Sequence, residues 1–103
     1  GTEANNLAIL GAARRFRSGH MIVSALEHEA VCNSATILGR MGWRIDTVPP
    51  DASGVIDPQS IERLIADDTQ LVCLQAANPV LGTIQPVRQV ADICHSRGIA
   101  VHC

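Results

Sequence analysis

The 103-residue chain is 47% hydrophobic and 17% charged, with a formal net charge of −2 at pH 7. These values predict one domain, or part of one, with a packed core, and they argue against intrinsic disorder. The charge argues against nucleic-acid binding, because no basic stripe is available to neutralise phosphates. No apolar run is long enough to span a bilayer and the first residues are unlike a signal sequence, so we expect a cytoplasmic protein without membrane contact.

Two features of the composition limit the chemistry. The four cysteines lie in apolar or helical surroundings, which predicts reduced, mostly core-packing thiols rather than a disulfide framework. They are Cys32, Cys73, Cys94 and Cys103. All eight Lys and Arg positions are arginines, so the chain has no lysine. A reaction that needs a Schiff-base lysine therefore cannot be completed by these residues.

The first half of the chain alternates helical and strand patterns. Apolar spacing predicts a helix over residues 3–17 with Thr2 as its N-cap, and a short buried strand over residues 20–25. A second helix is expected over residues 28–41, ended by Gly42 in a left-handed conformation. Its inward-facing residues are expected to be Val31, Ala35, Ile37, Leu38 and Met41. Polar and apolar residues then alternate over 44–48, as they do in a strand.

The second half repeats this alternation after a turn-rich segment at 49–54. Asp57 as N-cap and Pro58 at the first helical position predict a helix that ends near residues 67–68. A buried strand at 70–75, a loop at 76–85, a helix from Pro86 to about residue 97 and a strand at 99–103 follow. The alternation predicts a three-layer α/β fold, in which a mainly parallel sheet is flanked by helices.

Three polar residues fall in loops at the carboxyl edge of this sheet or beside it, where open α/β folds bind ligands. Thr2 offers a hydroxyl at a helix N-terminus, which suits a phosphate. His28 can stack on a planar ring and carry a proton near neutral pH. Asn78 can hydrogen-bond a cofactor or substrate. The alternatives are an ordinary helix cap for Thr2, a helix start for His28 and a turn residue before proline for Asn78.

Two pairs of adjacent His and Cys residues near the end of the chain are possible zinc ligands. Cys94 and His95 are adjacent on a predicted helix, and His102 and Cys103 point to opposite sides of a predicted strand. Neither arrangement matches the spacing of zinc ligands, so we expect no metal site.

Four short motifs occur in order, at residues 1–8 (GTEANNLA), 26–31 (LEHEAV), 54–57 (GVID) and 78–86 (NPVLGTIQP). Together they resemble the cysteine desulfurases of the class V aminotransferase group, over essentially the whole chain. The resemblance implies that residues 1–103 are part of the large domain of a pyridoxal 5′-phosphate enzyme, with no second domain in this chain. It implies a homodimer that converts L-cysteine to L-alanine and an enzyme persulfide. The sulfur then passes to an acceptor protein for iron–sulfur cluster or thio-cofactor assembly.

The resemblance also implies roles for the three candidate residues. Thr2 matches a threonine that binds the cofactor phosphate, and His28 matches the catalytic histidine that stacks on the pyridine ring and transfers protons. In the family's loop the asparagine that contacts the cofactor falls on Pro79 here, so Asn78 is its neighbour and the candidate replacement.

The family's pyridine-pairing aspartate, Schiff-base lysine and persulfide cysteine all follow the residue that matches Cys103. We therefore expect the chain to be inactive by itself. Two alternatives remain: another class V enzyme, such as a selenocysteine lyase or an aminotransferase, and a non-catalytic remnant that acts as a binding module.

Overall fold

The computed structural model describes residues 11, 18–25, 29–74, 77–78, 83–84 and 86–102, with the backbone alone at 29–32, 77–78, 83–84 and 102. The elements with defined bounds are β1 His20–Ser24, α1 Glu29–Arg40, β2 Arg44–Val48, α2 Pro58–Leu64, β3 Thr69–Cys73, β4 Ala77–Asn78, β5 Thr83–Ile84, α3 Val87–His95 and β6 Ala100–His102. The helix expected over residues 3–17 lies almost entirely outside the described residues.

Strands β2, β1, β3 and β6 lie side by side in that order, and each neighbouring pair is parallel. This confirms the predicted α/β fold with a mainly parallel sheet. Strands β4 and β5 form a separate antiparallel pair, in which Asn78 lies opposite Thr83. The prediction of a continuous loop at 76–85 was therefore wrong. A strand of two residues is too short to show the alternation by which strands are recognised in a sequence.

Two hydrophobic clusters cover opposite faces of the sheet, which gives the three layers. The first packs α1 against the sheet and consists of Met21, Val23, Ala35, Leu38, Trp43, Leu71 and Cys73. The second packs α2 and α3 against the other face and consists of Ile22, Val48, Ile56, Ile61, Val72, Leu74, Val90, Cys94 and Ile99. Strand β1 contributes alternate residues to both clusters, as expected for the parallel strands of a sheet covered on both faces.

The start of α2 agrees with the sequence prediction, whereas its end does not. Asp57 caps the helix through Oδ1, which accepts the Gln59 backbone N–H over 2.9 Å, and Pro58 begins it, as predicted. The helix ends at Leu64 rather than near residues 67–68, because Ile65 is already extended. The hydroxyl oxygen of Thr69 accepts the Ala66 N–H over 2.8 Å, which replaces the helical bond that would have continued α2.

Helix α1 corrects the prediction of its buried face. Ala35 and Leu38 are buried as expected, but Ile37 and Met41 are 51% and 54% exposed. Ala35 and Leu38 are three positions apart and share the face that meets the sheet, whereas Ile37 and Met41 share a different face. Gly42 follows the helix with φ of 98°, which confirms the predicted left-handed stop.

Helix α3 also ends earlier than predicted, at His95 rather than near residue 97. A turn follows it, and Gly98 closes this turn with φ of 70°. Cys73 and Cys94 are buried and form no disulfide, which confirms the prediction of core-packing thiols for these two cysteines. Among the described residues no helix is long and apolar enough to cross a membrane.

Candidate functional site

The three predicted site residues are not brought together within the described structure. Thr2 and His28 lie outside the described residues. Asn78 lies in β4, where its backbone pairs with that of Thr83. Convergence of these residues around one ligand therefore stays a prediction.

The described residues do define the frame around His28. Strand β1 ends at Ser24, and the Ala25 N–H donates to the Val48 carbonyl over 2.9 Å, which ties the carboxyl ends of β1 and β2 together. Helix α1 begins at Glu29. The chain thus passes from the carboxyl end of an internal strand to a helix N-terminus in a few residues. The first backbone N–H groups of a helix have no partner within the helix, so a helix start favours an anionic group.

A cavity of about 360 Å³ lies between α1 and strands β1 and β2, beside this edge. Three of its lining residues carry hydroxyls, namely Ser24, Thr36 and Thr47. The others are small or apolar, namely Val23, Ala25, Ala35, Gly39 and Ile45. This lining suits a small uncharged group.

At the opposite, amino edge of the sheet lies a polar cluster that the sequence analysis missed. The His20 side chain is fully buried. Its Nδ1 lies 2.7 Å from the Thr69 hydroxyl oxygen, and its Nε2 lies 2.7 Å from a carboxylate oxygen of Asp46. These partners are 49 and 26 positions away in the sequence, so no local pattern could pair them.

Two surface carboxylates have a lowered pKa, one through a contact between distant parts of the chain and one through a contact within a turn. The Arg44 guanidinium beside Asp68 lowers the pKa of that carboxyl, chiefly by hydrogen bonding. The Ser53 hydroxyl donates to Asp51 over 2.7 Å and, with the backbone of the turn, lowers the pKa of the Asp51 carboxyl. Both carboxylates lie at the surface, in or next to turns. Among the described residues no group of three or more His, Cys, Asp or Glu side chains is arranged to hold a metal ion.

Comparison with known proteins identifies relatives of the whole chain. The family model for class-V aminotransferases matches residues 1–103. The chain is 43% identical to cysteine desulfurase IscS 1 of Archaeoglobus fulgidus over 103 residues, covering 98% of this chain and 27% of that protein. It is 38% identical to a mitosomal cysteine desulfurase of Trachipleistophora hominis, covering 99% of this chain and 24% of that protein.

Solved structures agree with this result. The structure of SspA in complex with cysteine superposes with a TM-score of 0.90 at 35% identity, covering 98% of this chain and 30% of that one. The chain thus spans about a quarter of the length of the relatives it matches.

Proposed function

Because this chain belongs to the class-V aminotransferase family, we propose that it is part of the cofactor-binding large domain of a cysteine desulfurase. The ordered motifs at residues 1–8, 26–31, 54–57 and 78–86 support this assignment, as does the likeness to relatives named cysteine desulfurase. The proposed reaction breaks the C–S bond of L-cysteine and yields L-alanine. The sulfur moves to a cysteine thiol outside these residues, as a persulfide, and then to an acceptor protein.

The proposed cofactor is pyridoxal 5′-phosphate, which supplies an electron sink for bond cleavage next to an amino group. The hydroxyl of Thr2 would bind its phosphate, and the amide of Asn78 would hydrogen-bond its ring oxygen. The imidazole of His28 would stack on its ring and move a proton at the reacting carbon. These donors fit the phosphate and the ring, but the chain has no lysine. Covalent attachment must therefore come from a residue beyond this sequence.

The observation that carries the proposal is the short link between β1 and α1, in which His28 falls in the sequence. All five residues of β1 are buried, so this strand is a rigid support. Residues 26–28 link it directly to α1, at the edge where the internal strands of open α/β sheets present ligand-binding residues.

The test uses the full-length protein with pyridoxal phosphate and L-cysteine, and measures release of alanine. We expect His28→Gln to lower the rate by a factor on the order of 10² to 10⁴, the usual contribution of a positioned proton-transfer group. His95→Gln is the matched control, since His95 is exposed at the end of α3.

Two results would contradict the proposal: no alanine from the unaltered protein, or equal rates for the two variants. Turnover of selenocysteine but not cysteine would favour a selenocysteine lyase instead.

The proposal extends to assembly and location. We propose a homodimer in the cytoplasm that donates sulfur to an acceptor protein. One relative is named as mitosomal, so cell fractionation is needed to decide the compartment. Light scattering of the purified full-length protein measures the oligomeric state, and a monomer would contradict the proposed dimer.

A further inference from the structure

Hydrophobicity alone does not set the register of β1. Every residue from His20 to Ser24 is buried. Met21 and Val23 pack into the cluster under α1, whereas Ile22 packs into the cluster on the other face. A slip by one residue would keep apolar side chains at two of these three positions and bring His20 or Ser24 to the third. Register is weakly specified when both faces of a strand are apolar, so another interaction has to fix it.

The pairing between β1 and β3 also contains an irregularity. His20 lies opposite Thr69, but the next residue, Met21, lies opposite Leu71, so Gln70 is passed over. A bulge of this kind leaves one residue out of the ladder. The ladder itself therefore does not determine which residue of β3 lies opposite His20.

The side chain of His20 supplies that information through hydrogen bonds to one residue of each neighbouring strand. The Asp46 carboxylate accepts from Nε2–H over 2.7 Å. The other ring nitrogen, Nδ1, is hydrogen-bonded to the Thr69 hydroxyl over 2.7 Å, in a direction that the protonation of the ring sets. The oxygen of that hydroxyl also accepts the Ala66 N–H over 2.8 Å. Both nitrogens of the buried ring thus have a hydrogen-bond partner.

Backbone contacts hold the same end of β1. The His20 N–H donates to the Asp68 carbonyl, and the Arg44 N–H donates to the Gly19 carbonyl, each over 2.9 Å. A Cβ atom at Gly19 would lie only 2.9 Å from Cγ of Gln70, so the chain approaches the bulge too closely for a side chain there. The side-chain bonds thus act on a backbone that is already close to both neighbours.

We propose that the hydrogen-bond relay Ala66–Thr69–His20–Asp46, which is built around the buried side chain of His20, locks the register of β1 between β2 and β3. A satisfied buried polar network is a known way of selecting one arrangement among several of similar hydrophobic burial. The lock makes His20 a positioning residue for residues 26–28, which follow β1 in the sequence. This consequence for His28 rests on the proposed function, whereas the lock itself does not.

The test compares amide hydrogen exchange in three variants of the full-length protein. Thr69→Val removes the hydroxyl and keeps the shape, and Thr69→Ser keeps the hydroxyl. Val90→Ala removes buried volume from α3, away from the relay, and serves as a control for general destabilisation. Thr69→Val removes both hydrogen bonds of the hydroxyl, the one with His20 and the one from the Ala66 N–H, so we expect exchange of the β1 amides to speed up by about tenfold or more. Thr69→Ser should match the unaltered protein.

Uniform acceleration in Thr69→Val, equal to that in Val90→Ala, would overturn the lock, and so would unchanged exchange in β1. Titration with pyridoxal phosphate tests the second claim, that His20 positions residues 26–28. Weaker binding by Thr69→Val than by Val90→Ala supports positioning of residues 26–28 through β1, and equal binding by the two variants overturns it. No binding by the unaltered protein would overturn the proposed function, and the exchange data would still decide the lock.

Discussion

The guanidinium of Arg44 donates two hydrogen bonds to the carboxylate of Asp68, over 2.8 Å from Nη1 to Oδ2 and 3.1 Å from Nη2 to Oδ1. Hydrogen bonding in this pair raises the pKa of Arg44 and lowers the pKa of Asp68. The two side chains are 53% and 48% exposed, so the pair lies in water at the amino edge of the sheet. It joins the first residue of β2 to the turn before β3.

This pair predicts a pH dependence of stability. The pKa of Asp68 is lower in the folded protein, so its contribution is present above the unfolded carboxyl pKa of about 3.9. The contribution is lost as the pH falls through the folded pKa. Asp68→Asn should therefore lower the midpoint of thermal unfolding slightly at pH 7 and leave it unchanged in strong acid. High salt should shrink the difference. Asp67→Asn is the matched control, and an equal effect of both variants would contradict the prediction.

The buried indole of Trp43 predicts that its substitution by phenylalanine changes the stability of the protein little. Trp43 is 4% exposed, and its Nε1–H is buried without a hydrogen-bond acceptor in the described part of the chain. An unpaired buried donor costs about 1–3 kcal/mol. Trp43→Phe removes the donor and keeps most of the ring, so the free energy of unfolding should stay within about 1 kcal/mol of the original value or rise. Trp43→Ala should lose about 3–5 kcal/mol. A loss for Trp43→Phe as large as that for Trp43→Ala, measured by denaturant unfolding, would contradict the prediction.

Alanine substitutions at two neighbouring residues of α1 should lower the free energy of unfolding by very different amounts. Leu38 is 1% exposed and Ile37 is 51% exposed. Leu38→Ala removes buried methyl groups and leaves a cavity, so it should cost about 2–5 kcal/mol of unfolding free energy. Ile37→Ala removes atoms that are half in water and should cost less than about 1 kcal/mol. Similar losses for the two variants would show that Ile37 is covered in the full-length protein.

The absence of lysine predicts where the cofactor attaches. When the full-length protein is loaded with pyridoxal phosphate, reduced with borohydride and digested, the modified residue should lie outside this sequence. Peptide mass spectrometry locates the modified residue. A reduced adduct on any side chain of residues 1–103 would contradict the proposal that the cofactor is attached to a residue outside this sequence.

Much of the fold could be predicted from the sequence because its signals are local. Asp57 with Pro58 marks a helix start, Gly42 marks a helix end, and the apolar run after His20 marks a buried strand. The misplaced residues Ile37 and Met41 show the limit of this approach. On a helix with many apolar residues the side that faces the sheet is decided by packing, which the pattern alone does not show.

Only those parts of the site that are formed by residues close together in the sequence could be predicted. Placing His28 between a strand and a helix needed a short stretch of sequence, and the bounds of β1 and α1 agree with it. The cluster of His20, Thr69 and Asp46 combines three strands, so it becomes visible only when the sheet is assembled.

The strand order β2–β1–β3–β6 has a consequence for how the chain folds. His20 lies opposite Arg44, 24 positions later, on one side and opposite Thr69, 49 positions later, on the other. Closing the shorter loop costs less chain entropy, and α1 lies within it. The β1–α1–β2 unit is thus the part that can assemble first, and β3 then joins a strand that is already paired. If folding follows this order, the bond between His20 and Thr69 forms last and secures the more distant pairing, whereas the bond between His20 and Asp46 can form with the first unit.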